Sequence, residues 1–102
     1  MNINITSRKF KAKDSLKEFI SKEVKSLERF SDDILDVDVV LSYLHNKDSI
    51  KIAEINVTIP GKNLLVTEES DEFSKSVIEA VDKLKRQLKK FKSKRRTKAA
   101  KA

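Results

Sequence analysis

The side chains with the clearest chemical potential in this 102-residue chain are its lysines and arginines. Residues 83–102 contain 11 of them and no acid, whereas residues 31–82 carry a net charge of −8. Ammonium and guanidinium groups bind phosphates through charge-assisted hydrogen bonds, so a segregated basic segment is typical of a protein that contacts a polyanion. A solvated lysine-rich tail is the alternative, but solubility alone does not require such segregation.

The spacing of these residues places them in stripes along two predicted helices, because residues three, four and seven apart share a helix face. The stripes are Lys83, Arg86 and Lys90; Lys85, Lys89 and Lys92; and, on the first helix, Lys22, Lys25 and Arg29. If the helices lie side by side, the stripes merge into one patch, with Arg8 and Lys9 at its border. Such a patch lacks base-stacking aromatic motifs and is predicted to contact the phosphates of structured RNA.

Other kinds of chemistry have little support. The chain has no Cys, one His and one Gly, which excludes disulfides and thiolate metal sites and leaves no glycine-rich phosphate loop. His45 lies in a predicted turn without the partners of a ligand or general base. The remaining cluster is Asp32, Asp33, Asp36 and Asp38. It lacks a calcium-loop glycine, so we interpret it as a solvated acidic surface that faces away from phosphate. We expect no enzyme activity, metal or cofactor.

The apolar pattern predicts the elements that position the basic residues. Apolar residues alternate with polar ones in four segments and recur with helical spacing in two, which predicts the element order β-α-β-β-β-α. The predicted strands cover 2–6, 35–44, 51–59 and 63–67, and the predicted helices cover 14–30 and 70–92. We expect an α+β fold, with a four-stranded sheet and both helices packed on one face. Leu35, Val37, Val39, Leu41 and Tyr43 are predicted to face the core.

Charged and polar residues predict the helix ends and the domain limits. Ser15 with Glu18, or Asp14, is expected to cap the first helix, and Asp71 and Glu72 are expected in the first turn of the second. Residues 1–92 are predicted to form one domain, and residues 93–102 a basic tail that is disordered when free. No apolar run approaches a membrane span and no secretory signal is evident, so we expect a cytoplasmic protein that is monomeric when free.

Four segments resemble the ribosome hibernation promoting factor family, which includes the ribosome-associated inhibitor also called protein Y. They are residues 5–8, 27–30, 52–57 and 82–92, of which the last is the most specific. The resemblance implies a fold akin to a double-stranded-RNA-binding domain. It also implies binding to small-subunit rRNA in the path of mRNA and of A- and P-site tRNA, which reversibly inhibits translation under stress or in stationary phase.

The resemblance places the rRNA contacts on Arg8, Arg29, Lys83, Arg86, Lys89, Lys90 and Lys92, and the stripes add Lys22 and Lys25. The chain departs from the family at Glu23, where a lysine is frequent, and at residues 72–78, which lack a Tyr and an Asp. It ends soon after the second helix, as short-form members do. Two other functions remain as alternatives. The chain could be a general double-stranded-RNA-binding protein that uses the same basic surface, or a protein-interaction module whose acidic middle is the functional face.

Overall fold

The chain forms a four-stranded sheet covered on one face by helices. The structure is a computed structural model that describes residues 1–31, 33–44 and 50–101, with side chains described through residue 90. Its elements are β1 (Asn2–Ser7), α1 (Asp14–Lys25), a 3-10 helix (Ser26–Arg29), β2 (Asp36–Tyr43), β3 (Lys51–Ile59), β4 (Lys62–Ser70) and α2 (Phe73–Lys101). The predicted order and fold class are confirmed.

The strands lie in the order β1-β2-β3-β4. β1 is parallel to β2, because α1 carries the chain back across the sheet, whereas β2, β3 and β4 are antiparallel neighbours. The β3–β4 hairpin turns at Pro60 and Gly61. Gly61 has a φ of 78°, the left-handed value that a type II turn requires at its third residue.

The core lies between the sheet and the helices. Every second residue of the strands and one stripe of each helix point into this layer, as the side-chain periods of 2 for strands and 3.6 for helices predict. Its buried members are Ala12, Ile20, Val24, Leu27, Ile34, Val37, Val39, Leu41, Ala53, Ile55, Val57, Ile59, Leu64, Val66, Val77, Ala80, Val81, Leu84 and Leu88. The core stripe of α2 therefore turns the opposite side of that helix to solvent.

The start of β2 corrects one core prediction. Leu35 is 51% exposed, and Ile34 is buried in its place. The Leu35 amide donates to the carbonyl of Thr58, which lies opposite Asp36, so the pairing is irregular there and the alternation of the strand does not extend back to Leu35. Tyr43 is half-buried, and its ring meets Phe10 edge to face at 5.5 Å between centroids. Phe10, which lies between the first predicted strand and the first predicted helix, therefore packs against the core.

The start of α1 agrees with the predicted helix 14–30, but its capping and the start of α2 differ from the predictions. α1 begins at Asp14, and its N-cap, Lys13, makes no side-chain capping bond. The predicted caps are wrong because Asp14 and Ser15 lie inside the first turn. α2 begins at Phe73, so Asp71 and Glu72 precede it instead of forming its first turn.

The helix ends are rearranged as well. The predicted helix 14–30 changes to a 3-10 helix at Ser26, whose hydroxyl donates to the Glu23 carbonyl. α2 continues to Lys101, well past the predicted end at residue 92, consistent with the high helix propensity of Lys, Arg and Ala. Disorder of segment 93–102 in the free protein stays a prediction.

Candidate nucleic-acid interface

α1 and α2 run side by side in the same direction. Near their starts, Leu16 and Phe19 of α1 line a groove together with Ser74 of α2. Beyond the end of α1, the ring of Phe30 lies close to Lys85 and Lys89 of α2. The lysine-rich turns of both helices consequently lie at one end of the helix layer.

Phe30 links α2 to the segment that follows α1 at this end. The Nζ atoms of Lys85 and Lys89 each lie 5.9 Å from the centroid of its ring. An aromatic ring face attracts cations at this distance, so the half-buried ring holds two ammonium groups beside Arg29, its neighbour in sequence. Lys85 was part of a predicted stripe, although the resemblance does not assign it a contact.

The outer side of α2 carries Arg86, Lys89 and Lys90, all of them exposed. At 3.6 residues per turn, Arg86 is directed away from Leu84, whose burial fixes the rotation of the helix. Arg86 also donates to Asp82 over 2.7 Å in an exposed i,i+4 ion pair. Such a pair is weak in water and leaves the guanidinium available to a stronger anion.

Lys83 lies on the flank of α2 that faces β4. Its ammonium forms an ion pair with Glu68, whose side chain is only 15% exposed. Lys83 thereby ties α2 to the sheet, and Glu68 neutralises part of its charge. Sequence patterns could not predict this partner, because the two residues meet only when the helix packs across the strand.

The first helix contributes its last turn to the same end. Lys22 and Lys25 are exposed basic residues of that turn, and Arg29 is exposed in the 3-10 helix. We call this set the basic end: Lys22, Lys25, Arg29, Lys83, Lys85, Arg86, Lys89 and Lys90. Lys92 belongs to α2, but its side chain lies outside the described residues.

Arg8 does not border the basic end, contrary to the prediction. Its amide donates to the Leu41 carbonyl over 2.9 Å, so the backbone pairing of β1 extends one residue beyond Ser7. Alternation then directs Arg8 to the helix-free side of the sheet, which we call the open face. There it lines a groove of about 400 Å³ with Asp38 and Glu54. An rRNA contact by Arg8 stays a prediction.

Acidic residues lie on this open face. Asp36 and Asp38 accept hydrogen bonds from the side-chain amides of Asn2 and Asn4, each over 3.1 Å. They alternate with the buried Val37 and so point away from the helix layer. The acidic and basic surfaces of the domain are therefore on opposite sides of the sheet.

The remaining sequence candidates are His45 and the acidic cluster that includes Asp32. Asp32 and His45 lie outside the described residues. Within the described part of the chain, no three His, Cys, Asp or Glu side chains are grouped as a metal site would require. Neither helix, over the residues that the structure describes, contains an apolar stretch of the kind that crosses a membrane.

Lys75 is set apart from the basic end. It lies at the start of α2 and forms an exposed ion pair with Asp71 at 3.1 Å. The hydrogen bond from Lys75 lowers the pKa of the Asp71 carboxyl and raises the pKa of Lys75 itself. The α2 residues of the basic end thus differ from Lys75 in lying away from the acids that precede the helix.

The contact between Phe30 and Lys85 is expected to appear as a coupling energy. Phe30→Leu removes the ring while keeping an apolar side chain, and Lys85→Met removes the charge while keeping the stem. In a double-mutant cycle followed by urea unfolding, we expect a coupling of about 0.5–1 kcal/mol. The matched cycle of Phe30 with Lys90, on the other flank of α2, is expected to be additive. Additivity in both cycles would contradict the cation–π contact.

Comparison with known proteins gives consistent matches over nearly the whole chain. A sequence model of the family described as Sigma 54 modulation protein / S30EA ribosomal protein matches residues 3–96. The chain is 30% identical over 96 residues to the ribosome hibernation promotion factor of Bacillus subtilis, covering 92% of this chain and 50% of that protein. It therefore spans about half the length of that relative.

Two further matches agree with this. Ribosome-associated factor Y of Haemophilus influenzae is 28% identical over 100 residues, covering 98% of this chain and 91% of that protein. The crystal structure of the N-terminal domain of Thermus thermophilus Protein Y has a TM-score of 0.79 and 33% identity, covering 89% of this chain and 99% of that domain. The similarity thus extends to both sequence and fold.

Proposed function

The chain belongs to the Sigma 54 modulation protein / S30EA ribosomal protein family, and from this premise we propose that it is a ribosome hibernation factor. In this proposal it binds the small ribosomal subunit through rRNA phosphates and lies in the path of mRNA and of A- and P-site tRNA. Translation is then inhibited by occlusion, without a chemical step. The names of the relatives, ribosome hibernation promotion factor and ribosome-associated factor Y, support the ribosome as the partner.

The observation that carries the proposal is the gathering of basic side chains from two helices at one end of the domain. Lys85 and Lys89 reach Phe30, next to Arg29, while Arg86 and Lys90 extend the surface around α2. A rigid surface with separated cations recognises the spacing of phosphates on folded RNA. The acidic open face repels phosphate and orients the domain during its approach.

Phosphate binding of this kind also accounts for reversible inhibition. Each phosphate contact releases a counterion, so affinity falls steeply as salt rises. No covalent bond fixes the protein in place, and mRNA and tRNA compete for the same space on the subunit. Active initiation is therefore expected to displace the factor when stress ends or growth resumes.

The proposal is tested by sucrose-gradient sedimentation of ribosomes with the protein, in the presence and absence of excess duplex RNA. We expect the protein to sediment with the small subunit and the whole ribosome at low salt, and to remain there when naked duplex is added. Removal by the duplex would instead identify a general double-stranded-RNA-binding protein. Sedimentation that persists at high salt would favour protein contacts through the acidic open face.

A further inference from the structure

A second surface of the helix layer lies at the end opposite the basic end. It is a groove of about 390 Å³ between the start of α1 and the start of α2. Phe10, Leu16 and Phe19 give it apolar walls, and Lys11 and Lys13 stand at its margin as exposed side chains. This volume falls in the range of pockets that bind compact ligands.

The walls of the groove are held in place by contacts inside the domain. The ring of Phe10 stacks on Phe73, with 5.1 Å between centroids and 13° between planes, and Tyr43 meets it edge to face. The chain reaches this position through Lys9, whose φ is 64°, and through a hydrogen bond of 2.9 Å from the Ser7 hydroxyl to the Phe10 carbonyl. The groove is therefore formed before any partner binds.

The charged residues that line the groove are basic, although Asp14 of the first turn of α1 follows Lys13 in sequence. No acidic residue is among its described lining residues, and the two lysines of its margin belong to the segment that enters α1. Lys13 is also the N-cap of α1 and makes no side-chain capping bond. The two lysines favour a carboxylate next to the apolar groove.

We propose that this groove binds a polypeptide segment that places a large apolar side chain between Phe10, Leu16 and Phe19 and a neighbouring carboxylate against Lys11 and Lys13. A nucleobase suits the groove less well. Its edges carry several donors and acceptors, and apart from the two lysines the lining side chains offer only the hydroxyls of Ser15 and Ser74. Since the groove lies away from the basic end, the domain can hold RNA and such a segment together.

The test is an NMR titration of the isotope-labelled protein with a synthetic peptide that contains Leu and Phe among aspartates. We expect saturable shifts confined to residues 10–19 and Ser74. Replacing the aspartates of the peptide by lysine, or its Leu and Phe by serine, is expected to weaken binding at least tenfold. A purine-rich RNA oligonucleotide is expected to leave the chemical shifts of these residues unchanged.

Variants of the protein separate the groove from a general charge effect. Lys13→Glu is expected to weaken peptide binding about tenfold, whereas Lys62→Glu, the same charge change at the start of β4, leaves it unaltered. Ser74→Leu fills the groove and is expected to abolish binding with the lysines intact. Three results would overturn the proposal: no saturable binding, shifts outside the groove, or stronger shifts there with the oligonucleotide. None of these results would change how the protein sediments with ribosomes, so this test is independent of the test of the proposed function.

Discussion

Replacing Arg86, Lys89 and Lys90 together by glutamine is expected to weaken ribosome binding about a hundredfold at 0.15 M salt. Each lost phosphate contact reduces the slope of log K against log salt by about 0.9, so three contacts reduce it by about 2–3. If the variant and the wild type bind equally at 1 M salt, this difference in slope corresponds to about a hundredfold weaker binding at 0.15 M salt. Glutamine has a helix propensity close to that of lysine and arginine, so α2 is expected to persist.

The measurement is binding of the triple variant to small subunits across a salt series. A matched variant, with Lys9, Lys17 and Lys62 replaced by glutamine, loses the same net charge from exposed positions outside the basic end. We expect it to keep most of the wild-type slope. Equal losses in the two variants would mean that net charge alone governs binding, and that the basic end has no special role.

Leu84→Ala is expected to produce the largest loss of stability among single substitutions in α2. Leu84 is fully buried between the helix layer and the sheet. Removing its side chain loses transfer free energy and leaves a cavity, at a cost of about 3 kcal/mol. For a domain of this size, the cost corresponds to a fall in Tm of about 12–24 °C. Urea and thermal unfolding followed by circular dichroism measure both values.

Leu65→Ala is the matched control, because Leu65 is a leucine on the open face and is 57% exposed. We expect its free energy of unfolding to change by no more than about 0.5 kcal/mol. The Leu84→Ala variant keeps its phosphate contacts. At temperatures where it is still folded, we therefore expect its ribosome binding to depend on salt as that of the wild type does. A small effect at Leu84 would show that α2 is less firmly packed than the structure indicates.

The local patterns of the sequence predicted the elements well where one period dominates. The alternation in Lys51–Ile59 gave the bounds of β3 without error, and Val77, Leu84 and Leu88 are buried as their helical spacing predicts. The predictions failed at element ends, as at Leu35 and at the start of α2. Periodicity there covers too few residues, and backbone pairing with neighbouring strands decides where each element begins.

The candidate site likewise has features that the sequence predicted and features that it could not predict. The stripes on α1 and α2 were visible because their spacing refers to a single helix. The position of Arg8 was not, because it depends on how far the pairing of β1 with β2 continues. Nor could the sequence reveal that Phe30 meets Lys85 and Lys89, or that Lys83 meets Glu68, since each contact joins separate elements.

By itself, the sequence determined that the charge is segregated, that two amphipathic helices accompany four strands, and which side of each helix is basic. These properties follow from composition and from periods of two and 3.6 residues, which act locally. The tertiary structure decided that the two helices run in the same direction, so that their lysine-rich turns converge, and that Arg8 is separated from them by the sheet. It also created the groove at the other end, because packing between distant elements alone sets such distances.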